Sequence, residues 1–210
     1  MLSGPRLPIE LDVLFDPTGY LKYSDKIDSC RIQNEEITNF ELDEVILSKS
    51  YFKNVKFSGT LLPKCEVEDV VFDSCDLTGI NFEKSSFKRV LFKNSKLTGA
   101  IATSSYLDNV KFEDCVLNDI VLDNSSMNYV NISNSSLKYS NFTNVKHKNL
   151  EITNSDLSFA NLSDTKLSGL DFRDSEISGI TVYPKDIKGV ILTGSQSLAF
   201  VKLLGIVVKE

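Results

Sequence analysis

Val70-Val-Phe-Asp-Ser-Cys75-Asp-Leu-Thr-Gly-Ile80-Asn-Phe-Glu-Lys-Ser85-Ser-Phe-Lys-Arg-Val90-Leu-Phe-Lys-Asn is a run of five-residue units laid end to end. Each unit opens on a small or β-branched residue and carries Phe or Leu at its third place. Stepping outward by fives from Phe72, the third-place row reaches Ile27 in one direction and Leu192 in the other. From 27 to 192 in fives is 34 positions, all apolar except His147. A second row, two residues before each centre, holds Cys30, Val45, Ser50, Val55, Thr60, Cys65 and their successors, and only Asp25, Glu35 and Lys185 in it are charged. Two positions in five therefore face inward and three face solvent.

A period of five fits no regular element. On an α-helix it smears apolar residues around every side, and along a straight strand an odd step alternates faces. A constant inside requires the chain to turn once per repeat. Two extended residues followed by a tight turn, four times over, make a square circuit of 20 residues, with Gly and Asn at turns that need positive φ. The circuit is visible as columns: Phe52, Phe72, Phe92, Phe112, Ile132, Ile152 and Phe172 on one face, and Phe57, Leu77, Leu97, Leu117, Leu137, Leu157 and Ile177 on the next. At the turns stand Asn34, Asn54, Asn94, Asn134 and Asn154 in one column, and Gly59, Gly79, Gly99 and Gly179 in another.

Units such as Val70-Val-Phe-Asp-Ser, Ser95-Lys-Leu-Thr-Gly and Ala160-Asn-Leu-Ser-Asp resemble the pentapeptide-repeat pattern. The resemblance implies an all-β fold, a right-handed quadrilateral β-helix of about 8 coils. At roughly 4.8 Å per stacked strand, the rod would be about 40 Å long. The division expected is an N-terminal cap over 1–24, the β-helix over 25–194, and a C-terminal helix plus strand over 195–210. In the cap, Leu11, Leu14 and Phe15 would cover the first coil, with Asp16-Pro-Thr-Gly as a turn. In the tail, Ser195 or Ser197 would cap a helix, Leu198, Val201 and Leu204 would share one face of it, Gly205 would stop it, and Ile206-Val-Val-Lys would form a strand. Leu198, Val201, Leu204, Ile206 and Val208 carry more apolar surface than one coil end can cover, so a homodimer through the C-terminus is expected.

Few residues point to chemistry. Cys30, Cys65, Cys75 and Cys115 all fall in the inward small-residue row, where Cys is a compact filler. Cys75 and Cys115 sit two coils apart, about 9.6 Å by strand spacing, too far for a disulfide. Reduced thiols suit a cytoplasmic protein, and the first residues carry no apolar signal core. His147 interrupts a centre row among apolar neighbours and reads as a tolerated irregularity, its ring turned outward or bonded to backbone. The five Asn-x-Ser/Thr sequons, at Asn124, Asn131, Asn134, Asn141 and Asn161, are by-products of the repeat. With one histidine, no tryptophan and no phosphate-binding glycine loop, no catalytic, cofactor or metal site is expected. No run of apolar residues is long enough to span a membrane. A net charge of −6 argues against direct binding of nucleic acid.

Function is then a matter of the outside. The Phe-ladder face is nearly balanced, Arg31, Lys53, Lys93, Lys111 and Arg173 standing against Asp73, Glu113, Asp114, Glu151, Asp171 and Asp174. Tyr51, Val71 and Leu91 form an apolar row on it, and Leu61, Ile101 and Val121 a second row on the face after next. These six are the candidate partner surface. In size, unbroken coil and C-terminal helix the chain resembles the quinolone-resistance (Qnr) group of pentapeptide-repeat proteins. That resemblance implies a non-enzymatic mimic of duplex DNA that binds DNA gyrase or topoisomerase IV. The alternative is a general protein-interaction scaffold with another partner.

Overall fold

The computed structural model describes residues 2–38, 40–203 and 205–207. Its chain direction is set by a repeated local event. In Leu77-Thr78-Gly79-Ile80, the Ile80 N–H bonds back to the Leu77 carbonyl at 3.2 Å, and Gly79 lies at φ +66°. That is a turn whose third residue must be left-handed, which glycine adopts without strain. Left-handed residues recur at nearly every fifth position from Ser29 to Gly189, so the chain bends once per repeat as the spacing requires.

Four bends close a circuit, and successive circuits stack in parallel with a shift of 20 residues: Arg31 pairs with Tyr51, Tyr51 with Val71, Val71 with Leu91. Isolated bridges continue the same register on the other sides, as in Lys56–Asp76–Lys96 and Leu61–Asn81–Ile101–Val121. The result is a parallel β-solenoid of about seven turns, with less regular circuits at both ends. Its four faces follow the chain. The first is centred on Ile27, Leu47, Val67, Phe87, Leu107, Met127, His147 and Leu167; the second on Ile32, Phe52, Phe72 and their column; the third on Ile37, Phe57 and theirs; the fourth on Leu42, Leu62, Phe82 and theirs. The edge between first and second faces is the gentlest. There the chain runs as eight-residue strands bent at one left-handed residue: β6 (Glu66–Asp73), β7 (Ser86–Lys93), β8 (Tyr106–Glu113), β9 (Ser126–Ser133) and β10 (Lys146–Thr153). Shorter strands precede them: β1 (Asp12–Val13), β2 (Lys26–Asp28), β3 (Cys30–Gln33), β4 (Ile46–Ser48) and β5 (Tyr51–Lys53).

Inside, Phe52, Phe72, Phe92 and Phe112 stack with centroids 4.9–5.1 Å apart and rings within 13° of parallel. The circuit spacing coincides with the preferred distance of offset aromatic rings, so the backbone repeat and the side-chain stack reinforce one another. The second inward row is more than filler. Ser85, Ser95, Ser105, Ser125, Ser135 and Ser155 are buried, and each hydroxyl accepts the backbone N–H of the residue 20 positions earlier, as in Cys75 N–H to Ser95 Oγ at 3.0 Å. Each hydroxyl but that of Ser125 also donates to the carbonyl two residues before it, as Ser95 does to Lys93 at 2.8 Å. An N–H left over at the bend is thereby satisfied without water.

The ends depart from expectation. At the N-terminus, Asp16-Pro-Thr-Gly starts a short helix, α1 (Pro17–Leu21), rather than a turn: the Asp16 carboxylate accepts the Gly19 N–H at 2.8 Å, and Pro17 takes the first helical place, where its missing N–H is no loss. Leu21 and Leu14 pack on the core, but Phe15 is 75% exposed and covers nothing. β1 pairs with β3 and hides the first open edge of the second face. At the C-terminus, helix α2 (Gly194–Leu203) is capped by Thr193, not by Ser195 or Ser197. The Thr193 hydroxyl accepts the Gln196 N–H at 3.2 Å, while the Gln196 side chain accepts the Thr193 N–H at 2.9 Å, a reciprocal capping box. The Gln196 amide also donates to the Phe172 and Ser175 carbonyls, at 2.8 and 2.9 Å, and Phe200 is buried beside it. Gln196 and Phe200, four apart, are thus the face turned to the rod. Leu198 points away and is exposed, and Val201 is half-buried. Ile206 and Val207 are exposed and form no strand, while Leu204 and Val208 lie outside the described residues.

Candidate interaction surfaces

The two apolar rows sit where the 20-residue step puts them, but they are different surfaces. Tyr51, Val71 and Leu91 are ladder neighbours on the second face, each half-buried. Their row is bounded by Arg31, whose guanidinium lies 5.3 Å from the Tyr51 ring centroid, and by Lys111. The Tyr51 hydroxyl donates to Asp73 at 2.7 Å, and burial together with that carboxylate pushes its pKa up to about 12. On the fourth face Leu61 and Ile101 are each 37% exposed, separated by Asn81, and Val121 follows half-buried. The fourth-face row is the more open of the two.

Three surface features escaped the sequence. On the edge between third and fourth faces, Tyr139 and Phe159 stack with centroids 5.2 Å apart and rings 7° from parallel, both more than half exposed and both left-handed, at φ 59° and 63°. Bulky residues rarely hold that conformation. The Phe159 ring leans over Gly179, where a Cβ would meet it at 2.6 Å, so Gly179 makes the room the ring occupies. Along the third face and its edge with the second, Asp114, Asp156, Asp174 and Glu176 line a shallow depression with Asn134 and Asn154, and Lys138 stands among them paired with Asp156 at 2.9 Å, so that acidic groups are in excess. Burial would raise the Asp156 pKa, but Ser158 and Lys138 outweigh it and hold the carboxyl below the usual range; the Ser178 hydroxyl does the same for Glu176. On the opposite, first face stand Lys146, Lys148, Lys166 and Lys188, which meet no carboxylate among the described residues in the salt bridges formed. The two ends of this charge separation carry no mark in composition, because they cancel in the net charge.

No metal-binding group of side chains occurs among the described residues, and no described helix is long and apolar enough to cross a membrane. His147 turns outward to donate from Nε2 to the Lys166 carbonyl at 2.6 Å. Cys65, Cys75 and Cys115 are buried, and their burial pushes the thiols up to about 12, 12 and 11. Cys30 is half-buried and its thiol is raised by burial as well. Burial thus disfavours the thiolate, the reactive form, at Cys65, Cys75 and Cys115.

Comparison with known proteins matches this geometry to a family. The pentapeptide repeat region family matches residues 26–101, and the pentapeptide repeats family, with 8 copies, matches residues 105–144 and 151–179. No curated protein matches the chain. Among solved structures, a trypsin-treated form of QnrB1, a plasmid-mediated fluoroquinolone resistance protein, is 20% identical over 87% of this chain and 99% of its own, with a TM-score of 0.46. HetL, involved in heterocyst differentiation regulation in the cyanobacterium Nostoc, is 16% identical over 83% and 96%, with a TM-score of 0.44. A thylakoid-lumen protein of Arabidopsis thaliana is 21% identical over 63% and 72%, with a TM-score of 0.26. The family matches cover well over half of the 210 residues and coincide with the 20-residue ladders, and the chain belongs to the pentapeptide repeat family.

Proposed function

We propose that this protein works by binding another protein on the flat outside of its rod, without chemistry of its own. The observation that supports it is the fourth-face row of Leu61, Ile101 and Val121, with Leu61 and Ile101 exposed on either side of Asn81, on a rigid sheet whose inward centres other than His147 are filled by apolar side chains. Rigid faces bind without the ordering loss a loop would incur. Its partner in this reading is DNA gyrase or topoisomerase IV, engaged in place of duplex DNA. The acidic strip of Asp114, Asp156, Asp174 and Glu176 favours that partner, since a surface built for duplex is basic. Micromolar protein is expected to inhibit gyrase supercoiling or to protect it from ciprofloxacin, and Asp156→Lys/Glu176→Lys to weaken the effect about ten-fold. Absence of any effect on gyrase and topoisomerase IV removes the topoisomerase and leaves the scaffold. Loss of partner capture in Leu61→Asp/Ile101→Asp then tests the face.

Leu198 is exposed on the outer side of the helix that closes the rod, and Ile206 and Val207 are exposed just beyond it. We read them as the seam of a homodimer in a reducing, cytoplasmic setting, as four free cysteines favour. Light scattering after size exclusion is expected to give a dimer, and a monomer when residues 197–207 carry Leu198→Glu and Ile206→Glu; a monomer in both removes the seam.

A further inference from the structure

The first residues do not cap the rod; they climb its side. The Ser3 N–H donates to the Asn109 side chain and the Arg6 N–H to the Asp69 carboxylate, both at 2.8 Å. Asp69 and Asn109 occupy the same edge, between first and second faces, two circuits apart. That edge is the gently bent one, so its left-handed residues Asp69, Arg89 and Asn109 form a single file along the rod. The strap is Ser3-Gly-Pro-Arg6-Leu-Pro8, two tripeptides that each end in proline. Proline has no N–H and holds itself and the residue before it extended. Three residues of polyproline II advance about 9.3 Å, and two circuits of stacked strand advance about 9.6 Å. The donors of successive tripeptides therefore fall opposite acceptors on every second circuit.

We infer that this edge is a docking rail for an extended protein segment with proline at every third residue, occupied in the free chain by its own N-terminus. Three observations carry it. The seated segment shows the register directly. Its hold is slight: among the described residues, the two bonds above are the hydrogen bonds of residues 2–11 to the rod, and the first backbone pairing comes at Asp12. The rail also continues past its occupant, for Asn149 stands two circuits beyond Asn109 in the same file, exposed and with no side-chain hydrogen bond among the described residues. At the lower end the segment's own Leu7, Pro8 and Leu11 line a groove together with Arg31 and Tyr51 of the rod. The rail follows the edge and meets the second face only at Arg31 and Tyr51, and the inference holds whichever partner the flat faces take.

The test uses the full chain carrying Ser3→Pro/Arg6→Pro, which removes both donors and touches only the strap, and a labelled peptide of residues 2–10 added in trans. Fluorescence anisotropy is expected to show the peptide binding this variant about ten-fold more tightly than the wild-type chain, whose rail is filled, since a hydrogen bond contributes on the order of 1 kcal/mol. Backbone N-methylation of the peptide at the Ser3 and Arg6 nitrogens, or Asn109→Ala in the protein, is expected to weaken it about ten-fold by the same reasoning. Equal binding to wild type and variant overturns the inference, as does no binding to the variant at millimolar peptide, or undiminished binding of the methylated peptide.

Discussion

Phe72→Ala is expected to lower the unfolding free energy by about 3–5 kcal/mol, the range for emptying a buried phenylalanine site. The ring is fully buried, stacked between Phe52 and Phe92, and meets Phe57 edge-on at 5.8 Å between centroids. The rod cannot collapse to fill the gap, because the circuits above and below are held at the strand spacing by backbone bonds. Solenoids transmit strain mainly to nearest neighbours, so hydrogen exchange is expected to speed between residues 45 and 100 first, with β9 and β10 keeping more of their protection. Ile152→Val, in the same column, is expected to lose about 1 kcal/mol. Urea midpoints check both values; equal losses would mean that the column does not act as a stack.

The second large effect concerns a pair at the foot of the strap. Arg89 holds Asp69 through two bonds of 2.7 Å and reaches Glu68 as well, and Asp69 is only 4% exposed. Arg89→Met is expected to destabilise the chain by about 3 kcal/mol at pH 7, the low end for breaking a buried pair, because the Arg6 N–H still faces the carboxylate. Burial pushes the Asp69 pKa up, but Arg89 and the Arg6 N–H outweigh it and hold the group below the usual carboxylate range; Glu68 is lowered by Lys88 and Arg89. A depressed folded pKa gives stability that is full above the unfolded value, about 3.9 for Asp, and is lost as the pH falls through the folded one. In the variant, burial becomes the larger influence on Asp69, and protonation relieves it. The gap in urea midpoint between wild type and variant is therefore expected to be widest at pH 7 and to narrow at pH 3. A gap that stays constant would show that the ion pair is not the source of the loss.

The square circuit, its faces and its inward rows were legible because five-residue spacing admits one geometry with a constant inside. Tyr51, Val71 and Leu91 fell into one ladder for the same reason: position in the circuit decides position on the rod. His147 could be read outward because no polar partner exists among the inward centres. The hydroxyl column of Ser85, Ser95 and Ser105 was seen as small and missed as bonding, since spacing tells size from charge but not which N–H the bend leaves over. At the tail, the helix was legible and its cap was not: by spacing Thr193 falls in the last repeat, and only its exchange of bonds with Gln196 shows that the helix begins there.

What the amino-acid order determined alone is everything periodic: fold, register, core and the facing of each side chain, because each repeat meets the same neighbours 20 residues away. What tertiary structure decided is everything that happens once. The Ser3–Pro8 strap meets Asp69 and Asn109 across 63 and 106 residues, a pairing that no local pattern encodes. The opposed acidic and lysine-rich faces likewise exist only when circuits are stacked, for charges scattered through the chain become a patch once they share a side.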